Sequence, residues 1–341
     1  MNEKRSKTNM DIGSIESGKV MIKVLTTNEV SLTILPKMNL RDKVKYPGIT
    51  ANNATGEHGL AMIININDNE RSHKILIDTG GLAGGIIENS KQFKVNLSEV
   101  DKMVLTHGHF DHFGSLTKVI PLLKEGTEFY LNPLCFSQFY IASTKSGEVI
   151  PGEKLAVALK EEKSKFLINR KLPAFNKAMI TNLATQYGVK IIETSAPTKL
   201  YNGIITSGEI ELADKNGATK GFYIMKSRNE YINHYFKDET SVYLNIKDKG
   251  LVVITGCGHC GVINTIKHAQ KVTGINKIYA VIGGFHEEWN PIEVIEKKVE
   301  FIENLNPEIV CGMHCTGFNF NKIMSRHPSH VIGVTGTEFH L

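Results

Sequence analysis

The 341-residue sequence predicts an α/β (α+β) chain folded as an αββα sandwich, two sheets packed face to face with helices outside. Three observations carry this expectation. Two strand-rich halves are each followed by helical segments. Several strands fall in hairpin-like pairs, which count against a doubly wound parallel sheet. No Gly-x-Gly-x-x-Gly opens a helix, which removes the dinucleotide-binding form of that rival.

The first 20 residues are polar and predict a flexible terminus, leaving residues 21–341 as one domain. Val20–Leu25 and Val30–Ile34 read as strands because they are rich in β-branched residues. LAMIINI at 60–66 and KILIDTG at 74–80 read as buried strands joined by a turn at NDNERSH, and Asp78-Thr79-Gly80 ends the second. Met103–Leu105 is a short apolar strand running into THGHFDHFGSL, and LTKVIPLLKEG behind it has helical spacing. Residues 129–132 give another strand. Residues 135–190 are Lys-rich, carry Pro151 and Pro173, and predict an inserted helical lid with two amphipathic helices.

From 189 onward short strands return as VKIIET, GIITSG, EIEL, GFYIM, SVYLNI and LVVITG, the last two joined through KDKG as a hairpin. VINTIKHAQKV is a helix and IYAVIGG a strand. Asn290-Pro291 opens a helix with Ile292, Ile295, Val299 and Ile302 on one face, Asn serving as cap and Pro as first residue. EIVCGMH and a helix near 319–326 close the chain.

Hydrophobic residues at 41% and charged residues at 22% exclude disorder and low-complexity classes. The net charge of +5 comes without dense Lys/Arg runs, so no nucleic-acid partner is expected and a small anionic substrate is tolerated. Five cysteines are too few and too odd for a disulfide framework and fit a reducing compartment. No stretch approaches the roughly 18 to 20 apolar residues of a membrane span, and MNEKRSKTNMDIGS lacks an apolar leader core. A cytoplasmic protein without a membrane partner is expected; the sequence leaves its oligomeric state open.

His107, His109, Asp111 and His112 lie within six positions on a loop after a strand. Neutral imidazole and carboxylate suit zinc, manganese and iron, and ligands this dense can be divided between two adjacent ions. Further histidines, His259, His286 and His314, each stand where a buried strand opens into a Gly-containing turn, as a shared site at one sheet edge would require. His58 and His234 also stand out. Cys257 and Cys260 with Cys311 and Cys315 offer a weaker alternative, a four-Cys zinc site, and Cys257 alone is a possible further ligand.

The THGHFDH element resembles the signature of the metallo-β-lactamase superfamily. EHGL at 57, ILIDTG at 75, SAPTKLYNGIITSGEIE at 195, KDETSVYLNIKDKGLVVITGCGHCGVINTI at 237, YAVIGGFH at 279 and MHCTG at 313 are similar to one branch of it. That branch is the metal-dependent hydrolase group labelled 7,8-dihydropterin-6-methyl-4-(β-D-ribofuranosyl)aminobenzene-5'-phosphate synthase. The resemblance spans about three quarters of the chain and leaves out roughly 135–190, where this sequence is longer than the usual member.

The resemblance implies His107, His109, Asp111, His112, His259 and His314 as metal ligands on a metallo-β-lactamase sandwich. At the place of the superfamily's bridging Asp this chain has Cys257, and where the branch usually has Ser it has Gly258. Asp238 and Glu239 also match the branch. The implied cofactor is a pair of divalent ions, zinc first, with manganese or iron as alternatives. Such a pair acidifies a water for attack on a phosphoryl or carbonyl centre, with Asp111 both holding metal and orienting the nucleophile. Glu57, His58 and His286 are the candidates for substrate contact, His286 also for catalysis; support of the ligands is the competing role for both histidines.

The expected function is therefore a metal-dependent hydrolase of a small phosphate-bearing, ester or lactone substrate. An iron-loaded redox enzyme on the same fold is the alternative from another class, and the branch label implies a pterin/ribosyl-phosphate synthase. A non-catalytic metal-binding protein is disfavoured by so complete a ligand set.

Overall fold

Strict alternation along the apolar strands decides the architecture. Met62 and Ile64 enter one apolar cluster while Ala61 and Ile63 enter another, and Ile75 and Ile77 separate in the same way from Leu76. Val252 and Ile254 join that first cluster, whereas Leu251 and Val253 join a third. Both faces of both sheets are therefore covered, as period-two side chains demand when no face meets water.

The computed structural model describes residues 9–67 and 71–341. The first sheet has eight strands in the order Val44–Lys45, Glu338–His340, Val20–Thr26, Ala61–Asn67, Ser72–Ile77, Lys102–Val104, Glu128–Leu131, Lys190–Glu193. The second has six, in the order Thr198–Tyr201, Ile204–Thr206, Val242–Ile246, Gly250–Thr255, Ile278–Gly283, Ile309–Gly312. In each sheet the strands that lead into the histidine loops run parallel to a neighbour, so their carboxyl ends gather at one edge. Helices Gly85–Gln92 and Lys177–Gln186 cover the outside of the first sheet through Ile86, Ile180 and Ala184. Helices Val262–Thr273, Ile292–Asn304 and Phe318–Met324 cover the second through Ile266, Val299 and Phe320.

The αββα expectation holds. Four local expectations need correction. Val30–Ile34 forms no strand: Val30 and Leu32 are exposed, and β-branched residues without a pairing neighbour or a buried face have nothing to hold them extended. EIEL at 209–212 is a loop whose Glu211 amide donates to the His268 ring in place of a strand neighbour. LTKVIPLLKEG breaks at Pro121 into the helix Leu116–Val119 and the single 3-10 turn Ile120–Leu122. Of the flexible terminus expected over 1–20, residues 1–8 lie outside the described residues, and the rest is packed. Ile12 is buried under the second sheet, and the Met10 amide donates to the Val272 carbonyl at 2.8 Å. The turn residues 68–70 likewise lie outside the described residues, but the strands on either side pair antiparallel as expected.

The segment 135–190 holds the two expected helices but also two strands that were not expected. It contributes the strands Phe139–Thr144 and Phe166–Lys171, which join Phe222–Ser227 and Glu230–Asn233 in a third, four-stranded antiparallel sheet. Its first helix, Gly152–Glu161, packs Leu155 and Ala158 against Tyr223 and Tyr231 of that sheet. Its second belongs to the sandwich, as above. Exposed Arg170 and Lys171 give the strand Phe166–Lys171 a charge density that masks its period. No helix among the described residues is long and apolar enough to cross a membrane.

The helix Ile292–Asn304 is fastened to the loop carrying His286 by a buried ion pair: Lys298 Nζ donates to Glu287 at 2.6 and 2.8 Å. Lys298→Met leaves that carboxylate unpaired and is expected to cost about 3–5 kcal/mol in urea unfolding, whereas Val157→Ala on an exposed helix face changes stability by less than about 0.5 kcal/mol.

Candidate metal centre

The loop after Lys102–Val104 takes its shape from one buried carboxylate. Asp78, at φ +57° at the end of Ser72–Ile77, accepts from the Thr106 amide at 2.7 Å and the Thr106 hydroxyl at 2.8 Å. It also meets His112 Nδ1 at 2.7 Å. The chain therefore leaves the strand already bound to its neighbour, and His107 follows at once. Gly108 is needed for close approach: a Cβ there would sit 2.4 Å from the Cys135 carbonyl oxygen, and its amide donates to Asp238 at 2.9 Å. His109 then caps the one-turn helix Phe110–Phe113, which brings Asp111 and His112 to the same mouth.

The second sheet delivers the rest. His259 follows Gly250–Thr255, and Glu239 fixes its loop by accepting from the His259 amide at 2.8 Å and the Cys260 amide at 2.6 Å. The ring of Phe236 stacks on His259 at 4.2 Å and 7°. His286 and His314 leave their strands at φ +50° and +56°, a conformation rarely held by residues other than Gly and here imposed at the point where each ring turns into the site.

These elements bring two donor groups together. Asp111, His112, Cys257 and His314 offer ligand atoms within 4.8 Å of one another, as do His107, Cys257 and His259. In the first group His112 Nε2 lies 3.1 Å from Cys257 Sγ, and His314 Nε2 lies 3.1 Å from Asp111 Oδ2. The outer nitrogen of each ring is held from behind, His112 by Asp78 and His314 by Asn28 at 3.0 Å. His109 adjoins the second group, its Nδ1 3.1 Å from His259 Nε2. His107 Nε2, His109 Nε2 and His259 Nδ1 are buried without a hydrogen-bond partner. Three orphaned imidazole nitrogens beside a thiol and a carboxylate are a costly burial in an apolar interior and fit the N, O and S donor set of a divalent cation.

Electrostatics agree. Burial holds His107 and His259 well below the ordinary histidine value, with neighbouring imidazoles adding to the effect, and it brings His109 down to about 4 and His286 to about 3. These rings are neutral at pH 7, the form that ligates. Burial alone would raise the Asp111 carboxyl, but His112 and the hydrogen bond with His314 overcome it and keep Asp111 ionised. Burial pushes the Cys257 thiol far up, so its proton leaves only when a cation replaces it.

The six histidine and aspartate residues expected as ligands converge. A cavity of about 460 Å³ opens over His109, Asp111, His259 and His314, lined also by His58 and His286. His286 packs against His259 at 4.2 Å between ring centroids, and its Nδ1 lies 3.3 Å from the Thr219 hydroxyl. His58 Nε2 lies 3.5 Å from Asp111 Oδ2, with 59% of its side chain exposed. Glu57 is a correction: its carboxylate accepts from the Gly81 amide at 3.1 Å and packs under Gly80, so it supports the turn after Asp78 and does not line the cavity. The four-Cys alternative also fails, because Cys311 is buried between the sheets and Cys260 donates to the Phe236 carbonyl.

Sequence reasoning kept Cys257 only as a further candidate beside its ligand set and overlooked Asp78 and Asn28. The ILIDTG strand end was the available signal for Asp78; nothing marked Asn28. Asp238 and Glu239 serve the ligand loops through backbone amides, and Asp238 also sits 2.9 Å from His234 Nε2 without hydrogen-bond alignment.

Residues 55–125 match the family model described as Metallo-beta-lactamase superfamily. The chain is 29% identical over 77% of its length to a Methanocaldococcus jannaschii protein named 7,8-dihydropterin-6-methyl-4-(beta-D-ribofuranosyl)-aminobenzene-5'-phosphate synthase, covering 82% of that relative. It is 26% identical over 82% of its length to an uncharacterised protein of the same organism, covering 94% of it. A solved metal-dependent hydrolase of the beta-lactamase superfamily superposes with a TM-score of 0.66 at 22% identity, covering 94% of this chain and 99% of that one.

Asp78→Asn removes the charge behind His112 and is expected to weaken zinc binding about 10- to 100-fold in competition with a chromophoric chelator. Thr106→Val, which removes one donor to Asp78 and leaves the carboxylate in place, should have a smaller effect. Unchanged affinity in Asp78→Asn would show that this carboxylate does not orient a ligand.

Proposed function

We propose that this chain, whose residues 55–125 match the metallo-β-lactamase superfamily model and whose fold superposes on a solved protein of that superfamily, is a metal-dependent hydrolase acting on a small anionic substrate, a phosphate ester first and a carboxylic ester or lactone second. One observation carries the reading: two donor groups share Cys257 at the floor of a cavity large enough for a small molecule. His107, His109, His259 and Cys257 would hold one divalent ion, and Asp111, His112, His314 and Cys257 a second. When bound, such ions supply Lewis acidity and lower the pKa of water, with zinc the first expectation and manganese or iron the alternatives.

The chain's own residues divide the remaining work. Asp111, kept ionised beside His112, would orient the attacking water. His286, neutral and buried, is suited to hydrogen-bonding the substrate and unsuited to donating a proton as imidazolium. His58, exposed at the mouth and 3.5 Å from Asp111, is the residue placed to hand a proton to a leaving group. Phe222, stacked on His109 at 5.2 Å, and Phe110 keep the cavity wall apolar, which strengthens charge interactions at the reacting atoms.

The relative's name supports a synthase on a pterin and ribosyl phosphate, but none of the residues described favours bond formation over hydrolysis. Protein purified without chelator should hydrolyse at least one of bis(4-nitrophenyl) phosphate, 4-nitrophenyl phosphate and a γ-thiolactone. Asp111→Asn should lower that kcat by about 100-fold or more. A fully metal-loaded enzyme inert towards all three would remove the hydrolase reading, and iron with visible absorbance would favour redox chemistry.

A further inference from the structure

The third sheet gives the cavity a wall that the donor groups do not explain. In its register Phe222 pairs with Ile141, and Ile141 pairs with Arg170, so the three side chains form one cross-strand row. All three line the cavity above the donor groups. The row begins at Phe222, stacked on His109, and ends at Arg170, two strand spacings and about 10 Å away in backbone terms. Leu172, just beyond the end of that strand, continues the apolar surface beside it.

Arg170 is the only Lys or Arg among the residues lining this cavity. Among the described residues no ion pair or hydrogen bond engages its guanidinium, and what sets it apart from the other unpaired cations of the segment is its place on the cavity wall. The remaining acid at the rim, Glu288, is turned towards the 317 loop: a Cβ at Gly317 would sit 2.0 Å from its carboxylate oxygen. An unengaged guanidinium at the end of an apolar strip presents a planar fork to a carboxylate or phosphate, with little competing acceptor nearby.

We infer that Arg170 is a recognition residue for a second anionic group of the substrate, carried across an apolar spacer from the group that reacts at the donor cluster. The inference rests on the cavity being the substrate site, as the hydrolase reading has it, and it narrows the substrate class to molecules with two anionic ends. The segment 135–190 thus acts in specificity through a strand, without closing over the site.

The chain's single tryptophan, Trp289, lines the same cavity and reports occupancy by its emission. Metal-loaded protein is titrated with phenylphosphonate and with 4-carboxyphenylphosphonate, neither of which can be hydrolysed. Wild type should bind the two-anion ligand at least about five-fold more tightly, Arg170→Ala should erase that preference, and Arg170→Lys should restore part of it. Lys171→Ala, on the opposite face of the same strand, should keep the preference. Equal affinities in wild type, or equal loss in Arg170→Ala and Lys171→Ala, would overturn the assignment. Because binding is read without turnover, failure of the hydrolase reading shows as inert ester substrates, and failure of this one as absent preference.

Discussion

The buried carboxylate of Asp78 is the interaction on which the rest of the site depends. It accepts from the backbone and the hydroxyl of Thr106, fixing where the first sheet's loop begins, and it grips His112 from behind. A fully buried Asp is tolerated only when its oxygens are filled by donors, and here the donors belong to the loop that must be shaped. Loss of any one partner would leave charge unpaired in the interior, so the loop has little freedom to adopt another course. The pattern repeats in the second sheet, where Glu239 spends both oxygens on the amides of His259 and Cys260.

Holding ligands through backbone amides has a chemical consequence. His107, His109 and His259 each keep one buried ring nitrogen without a protein partner, and burial keeps those three rings neutral. Rigid anchors behind and orphaned donors in front amount to a centre organised before any cation arrives. Cys257 belongs to both donor groups, which makes the thiol the point where the two halves of the centre meet.

The sandwich was legible because a short apolar run bounded by turn residues reports a strand buried on both faces, as in Ala61–Asn67 and Gly250–Thr255. It misled at Val30–Ile34, where β-branched residues lack a neighbour, and at Phe166–Lys171, where exposed cations hid the period. The histidines of the two donor groups were legible because strand ends followed by glycine mark one edge of a sheet. Asp78, Asn28 and Arg170 were not, since each acts through a partner far away in sequence: Asp78 on His112, Asn28 on His314, Arg170 through a three-strand register. Glu57 shows the reverse error, a motif neighbour of His58 whose carboxylate packs against the Gly80–Gly81 turn and is absent from the cavity wall.

Metal content and position test this account most directly. Crystals of protein purified without chelator or added metal would be measured by anomalous scattering at the zinc, manganese and iron edges, beside elemental analysis of the same batch. About two ions per chain are expected, one at each donor group. A single ion bound away from Cys257, or protein that takes up no divalent metal, would contradict it.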